Sequence, residues 1–293
     1  MRLRPDFASL AARCTRPPVT RFAPSPTGYL HLGHVVNAIY VWGIGRALGG
    51  RVLLRVEDHD RLRSRPEYES AIVEDLDWLG FEPDAGRDPL LRQSEDDRAY
   101  GDTLERLRGT HHVYACDCSR KEIGGERYPG TCRHRGLDET PGRGLRVQID
   151  PGVERFVDGL LGSQEQSPAD EYGDLLIRDR DGHWTYQWCV TVDDNRQDVA
   201  LVIRGTDLLS STGRQIRLAR MLGRVEPSVF MHHPLVLKAS GEKLSKSSRD
   251  TGVRELRASG LPAADVIGQA AAAAGLLDVA HPRAAARVQE LFV

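Results

Sequence analysis

The chain has 293 residues, of which 40% are hydrophobic, 28% charged and 6% aromatic, with a formal net charge of −2. That balance excludes a disordered, collagen-like or disulfide-scaffold chain. The near-zero charge gives no global sign of a nucleic-acid partner, although a local basic face would not show in the sum.

The most apolar window, Val35 to Leu48, contains Arg46. It falls short of the roughly 20 apolar residues that a membrane span needs, so no membrane partner is expected. Asp6 and Arg13 interrupt any secretory signal at the N-terminus. Five cysteines occur, and Cys116, Cys118 and Cys132 cluster while Cys14 and Cys189 stand apart. This pattern favours metal binding in a reducing compartment, the cytoplasm, over a disulfide framework.

In chain order, residues 1–18 read as a flexible lead-in. A short strand, Val19 to Ala23, runs into the Pro/Gly-rich turn Pro24-Ser25-Pro26-Thr27-Gly28, and an apolar helix follows from Leu32 to Leu48, stopped by Gly49-Gly50. Arg51 to Val56 reads as a strand. Pro66 to Leu79 reads as a helix with Pro at its start and Gly80 at its end. Strand, helix, strand, helix is the pattern of a parallel sheet covered by helices.

Residues 112–170 differ, with the cysteine cluster and short strand candidates such as Leu145 to Ile149, and read as an inserted module. Alternation resumes with a strand at Val199 to Ile203, a helix at Leu208 to Leu222, a strand at Leu235 to Leu237 and a polar loop from Lys238 to Asp250. The Ala-rich tail from Leu261 onward reads as helical. The expected organisation is a nucleotide-binding core in two halves, 19–111 and 171–250, split by the 112–170 insertion and followed by a helical segment, 251–293. The fold class is α/β, with a Rossmann-type parallel sheet.

Two loops carry chemistry. In the first, His31 and His34 stand three residues apart where strand gives way to helix, so both imidazoles face a ligand at a helix N-terminus suited to phosphate. Gly33 between them permits close approach of an adenine ring or ribose. The competing possibilities are ordinary helix caps or half of a metal site. In the second, Lys243-Leu244-Ser245-Lys246-Ser247 puts two ammonium groups and intervening hydroxyls on a Gly/Ser-rich loop, suited to a polyphosphate or else simply solvated. The chain has only four lysines (Lys121, Lys238, Lys243, Lys246), which makes their concentration in this loop notable.

Together these loops resemble the HIGH and KMSKS motifs of class I aminoacyl-tRNA synthetases, here His31-Leu32-Gly33-His34 and Lys243 to Ser247. Arg21 to Ser25, the continuation PTGYLHLGH, Leu54 to Asp58 and Ile203 to Leu208 are similar to motifs of the glutamyl branch. The resemblance spans about residues 19–250. It implies activation of L-glutamate by ATP with Mg²⁺ on the phosphates, His31, His34 and Lys246 acting in catalysis, and Gly33, Lys243 and Ser245 helping to bind ATP. Arg21 would hold the glutamate side-chain carboxylate and Glu57 its ammonium, within a pocket completed by Phe22, Ala23, Pro24, Ser25, Tyr186 and Arg204. A structural ion pair is the alternative for Glu57 and Arg204.

The three thiolates suit a tetrahedral, structural Zn²⁺ with one further ligand. Relatives implied by the resemblance use a tyrosine, which matches Tyr128, whereas His134 is the commoner chemical type. The residues after Ser247 are too few for an anticodon-binding domain, typically on the order of 100 residues. That and the Cys/Cys/Tyr/Cys spacing resemble the glutamyl-queuosine tRNA(Asp) synthetases, which transfer glutamate to the queuosine base of tRNA(Asp). The implied partners are ATP, L-glutamate and queuosine-bearing tRNA(Asp), with the chain a monomer. A minimal glutamyl-tRNA synthetase charging a 3′ end, or a non-catalytic tRNA-binding or glutamate-sensing paralogue, are the alternatives.

Overall fold

The computed structural model describes residues 6–14, 17–236 and 252–292. The first half runs through helix α1 (Phe7–Arg13), strand β1 (Val19–Phe22), α2 (Leu32–Ala47), β2 (Arg51–Val56), α3 (Pro66–Leu79), β3 (Leu91–Arg92) and α4 (Asp97–Arg108). The middle contains β4 (Val113–Cys116), α5 (Arg120–Ile123), β5 (Gly144–Val147), β6 (Glu154–Asp158), β7 (Gly162–Gln166), α6 (Pro168–Tyr172) and β8 (Leu175–Arg178). Then come α7 (Tyr186–Arg196), β9 (Val199–Gly205), α8 (Thr212–Met221), β10 (Val229–His233), α9 (Val253–Ala258) and α10 (Ala263–Ala273).

Five strands form a parallel sheet in the order β10-β9-β1-β2-β3. The chain winds outward from β1 in one direction to β3 and later in the other direction to β10. The carboxyl ends of β1 and β9 therefore border a topological switch point, where open α/β sheets bind ligands. A separate antiparallel sheet, β4-β5-β8, carries the cysteine segment, and β6 and β7 pair as a hairpin.

α2 is apolar on almost every side, as expected of a helix covered all round. Val35, Val36, Ile39, Val41 and Ile44 are fully or almost fully buried. One side packs on β1, β2 and β9, and the other is covered by α10 and the 3₁₀ turn Ala285–Leu291. The contact with the C-terminal segment is tight. A Cβ at Gly43 would lie 2.3 Å from Phe292 Cε2, so only glycine fits there.

Several sequence expectations need correction. The lead-in contains α1, because Asp6 caps the helix by accepting the Ser9 N–H and Leu10 is wholly buried in the main core. The three-stranded sheet takes its last strand, β8, from beyond residue 170. The segment from Leu208 begins as a 3₁₀ turn, Thr206–Ser211, before α8. Leu235 and Val236 are not a strand, and Leu237 lies outside the described residues. The sheet strand there is β10, whose Val-Phe-Met-His-His was overlooked because its two histidines hide an apolar run. The tail is α-helical over α10, runs irregularly from there and ends in the 3₁₀ turn Ala285–Leu291. No described helix is long and apolar enough to cross a membrane.

Gly43→Ala is expected to destabilise the fold by about 1–3 kcal/mol through overpacking against Phe292. Urea unfolding would show it as a lowered midpoint at constant slope, with partial recovery in Gly43→Ala/Phe292→Leu. An unaltered midpoint would contradict this packing.

Candidate active site

At the switch point lies a cavity of about 340 Å³, lined by Arg21 from β1 and Ala23 just after it, Glu57 after β2, Tyr186 from α7, and Ile203, Arg204 and Gly205 from β9. The N-cap and first two turns of α2 supply His31, Gly33, His34 and Asn37, and His233 from β10 closes another side.

The two histidines are helix caps and cavity residues at once. His31 Nδ1 accepts the Gly33 N–H at 3.1 Å, and His34 Nδ1 accepts the His31 N–H at 3.1 Å, a reciprocal capping box. With Nδ1 occupied as an acceptor on both rings, the proton of each neutral imidazole sits on Nε2. The capping role therefore fixes both tautomers as Nε2–H donors, with ring centroids 4.0 Å apart. Gly33 lines the cavity, and a Cβ there would also lie 2.9 Å from His31 Cε1.

Three buried guanidinium groups underlie the cavity. Arg21 Nε donates to Asp194 Oδ1 at 3.2 Å, and Arg55 Nη1 donates to the same oxygen at 2.9 Å. Arg55 Nη2 donates to Glu57 Oε1 at 3.0 Å, so the ion-pair partner of Glu57 is Arg55 and not Arg204. Burial works against the charge on Arg55, but Asp194, Glu57 and Asp193 outweigh it and raise its pKa. Burial likewise opposes ionisation of Asp194, and Arg21 and Arg55 overcome it, holding the carboxyl below its usual range. Arg204 is held below the usual guanidinium range, chiefly by burial and also by the charge of Arg21. The lining holds two cations, Arg21 and Arg204, and two carboxylates, Glu57 and Asp207, which suits an occupant that carries both signs of charge.

The remaining expected residues divide clearly. Phe22 faces the core and packs on Trp42 with ring centroids 5.4 Å apart, so it does not line the cavity. Pro24 and Ser25 are also absent from the lining; the Pro24 carbonyl accepts the Glu57 N–H at 3.0 Å and so fixes the Glu57 backbone. Lys243, Ser245 and Lys246 lie outside the described residues. Sequence reasoning missed Asn37, His233 and the anion Asp194. An available signal was the presence of Arg21, Arg55 and Arg204 inside otherwise apolar strands, since buried cations require nearby carboxylates.

The sulfur atoms of Cys116, Cys118 and Cys132 lie within 4.8 Å of one another. The Tyr128 hydroxyl sits 3.4 Å from Cys116 Sγ and accepts the Cys132 N–H at 2.8 Å. His134 is exposed and stacks toward His112 instead, with ring centroids 6.3 Å apart. Arg146 Nε donates to Cys116 Sγ at 3.4 Å, with its guanidinium 3.7 Å from the Tyr128 ring centroid. Cys118 is pushed up to about 12, first by burial and then by its thiol neighbours. Three thiolates cannot share this space without a cation, and the donor set fits a tetrahedral thiophilic metal.

Comparison with known proteins agrees with this geometry. The family described as "tRNA synthetases class I (E and Q), catalytic domain" matches residues 18–267. A Glutamyl-Q tRNA(Asp) synthetase from Nitratidesulfovibrio vulgaris is 40% identical over 288 residues, covering 90% of this chain and 88% of the relative. The chain belongs to the glutamyl-Q tRNA(Asp) synthetase family. It is a ligase. Another member, from Burkholderia cenocepacia, is 43% identical over 247 residues, covering 80% of this chain and 81% of that one. A glutamate tRNA ligase from Elizabethkingia meningosepticum, solved with its amino acid, superposes with TM-score 0.70 at 29% identity. That match covers 80% of this chain and 53% of the ligase, so this chain spans about half its length.

Beside the cavity, burial lowers His233 to about 4, well below the ordinary imidazole value. Between about pH 6.5 and 4 the unfolded chain binds a proton at this position that the native state does not. Stability should therefore fall on acidification through that window, by at most about 1.4 kcal/mol per pH unit for this group. Melting temperatures from pH 7 to 4.5 check the slope, which His233→Gln should flatten.

Proposed function

We propose that the cavity activates L-glutamate with ATP and that the enzyme then transfers the glutamyl group to the queuosine base of tRNA(Asp). The observation that carries this reading is the convergence of the His31/His34 pair with Arg21, Glu57, Tyr186 and Arg204 on one cavity. The names of the relatives support the acceptor.

Arg21 and Arg204 supply cations for the carboxylate groups of the substrate, with Arg geometry suited to bidentate contact. Glu57, already anchored by Arg55, accepts from the ammonium. The α-carboxylate attacks the α-phosphorus, the bond to the β-phosphate oxygen breaks, and pyrophosphate leaves. The nucleophile is ionised from the start, so no general base is needed, and alignment with charge stabilisation lowers the barrier. His31 and His34 donate their Nε2–H groups to phosphate oxygens as charge shifts. Lys246 serves the departing pyrophosphate, and Mg²⁺ on the phosphates supplies further neutralisation. Cys116, Cys118, Cys132 and Tyr128 would hold a structural Zn²⁺.

ATP–pyrophosphate exchange should proceed with glutamate and no tRNA, and zero exchange would eliminate activation. Similarity to glutamate tRNA ligase favours a second acceptor, a tRNA 3′ end. Labelled-glutamate transfer to queuosine-containing tRNA(Asp), queuosine-free tRNA(Asp) and tRNA(Glu) separates the two, with only the first expected to be charged. Lys246→Ala should lower kcat at least tenfold while changing the KM for glutamate little; equal losses in both would refute its role. Metal analysis should return one equivalent of zinc, lost in Cys118→Ser.

A further inference from the structure

Behind Arg204 lies a fully buried chain of polar groups that no step above uses. His232 on β10 is the cross-strand neighbour of Arg204 on β9 in the parallel register. Asp158, at the end of β6, reaches His232 from outside the sheet. The relative exposures of His232, Asp158 and Arg204 are 0%, 2% and 3%.

Asp158 is anionic. Burial opposes its charge, but the His232 ring and the Leu160 and Leu161 amides, at 2.9 and 3.0 Å, hold its pKa below the ordinary value. Its Oδ2 lies 2.6 Å from His232 Nδ1, so Nδ1 must carry the proton. Nε2 of the neutral ring is then an acceptor. Arg204 Nε, which can only donate, lies 3.0 Å from that atom. The two contacts demand the same tautomer.

The other guanidinium nitrogens are anchored as well, Nη1 on Gln215 Oε1 at 2.7 Å and Nη2 on Thr212 Oγ1 at 2.9 Å. Each Nη keeps a second N–H for Tyr186 and for an anion in the cavity. We propose that Asp158 and His232 are positioning residues that lock Arg204 in its anion-receiving orientation and make glutamate binding sensitive to acid. This rests on the reading of Arg204 as a glutamate-site residue.

Protonating His232 would turn its acceptor into a donor and set a second cation against the guanidinium. The charged groups facing the ring are Asp158 from the β6–β7 hairpin, Arg204 from β9 and, farther off, Arg21 from β1; His233 adjoins it on β10. α8 contributes only the neutral Thr212, whose hydroxyl lies 3.2 Å from Nε2.

Asp158→Asn is the informative change. Its Oδ1 must keep accepting the Leu160 and Leu161 amides, so its NH₂ faces His232 Nδ1 and forces the proton onto Nε2. In glutamate-dependent ATP–pyrophosphate exchange, Asp158→Asn and His232→Leu should raise the KM for glutamate at least tenfold, leaving the KM for ATP within twofold. His232→Gln, whose Oε1 reaches the place of Nε2, should recover most of the loss. In the unmodified protein the KM for glutamate should also rise as pH falls below the ordinary histidine range.

A merely structural role predicts equal losses in all three variants without the KM split or the glutamine rescue, and would overturn the proposal. Histidine ¹⁵N spectra of the unmodified protein supply an independent arm. An Nδ1–H tautomer for His232 is expected, and an Nε2–H tautomer would refute the positioning pair even if the variants fail to fold. Absence of glutamate-dependent exchange in the unmodified protein would defeat the functional reading instead, and the spectra would still decide the pair.

Discussion

Much of this molecule follows from one constraint: guanidinium groups that water cannot reach must have carboxylates brought to them. Asp194 Oδ1 serves Arg21 and Arg55 together, and Arg55 in turn fixes Glu57. Removing one member of such a cluster leaves an uncompensated charge in a low-dielectric interior, which costs several kcal/mol. The ends of β1, β2 and α7 are thereby tied at fixed spacing. Arg204 is satisfied differently, by the neutral acceptors of His232, Thr212 and Gln215. The cavity thus holds one guanidinium paired with a carboxylate and one held by neutral acceptors, beside the lining carboxylates of Glu57 and Asp207.

The same economy of means operates at the helix end. His31 and His34 are helix caps as well as cavity residues, and the capping role is what orients them. Satisfying backbone N–H groups with Nδ1 sends both remaining ring protons outward. Local helix chemistry and ligand chemistry are here one arrangement.

The early strand–helix–strand–helix pattern was legible because β1, β2 and α3 obey simple periodicity and stop signals, Gly80 ending α3 at φ 79°. β10 was not, since His232 and His233 break an apolar run that burial nevertheless claims. The cavity lining was partly legible through motif residues such as Arg21, Glu57 and Arg204. Their partners were not: Asp194, which pairs with Arg21, lies 173 positions from it along the chain, and His232, which accepts from Arg204, lies 28 positions from it, and only the fold brings each pair together. Phe22 shows the converse failure. Membership in a motif said nothing about direction, and strand alternation turned it into the core beside Trp42 while Arg21 faced the cavity.

The covering of α2 by the C-terminal segment bears on how the polypeptide is born. The helix that carries the paired imidazoles leaves the ribosome more than 200 residues before the segment that sheathes its outer face, 263–292. Until that segment emerges an apolar surface waits without its cover, the kind of nascent-chain exposure that chaperones bind and that favours aggregation. Closure of the core around α2 therefore waits for a segment distant along the chain, with Phe292 settling against Gly43.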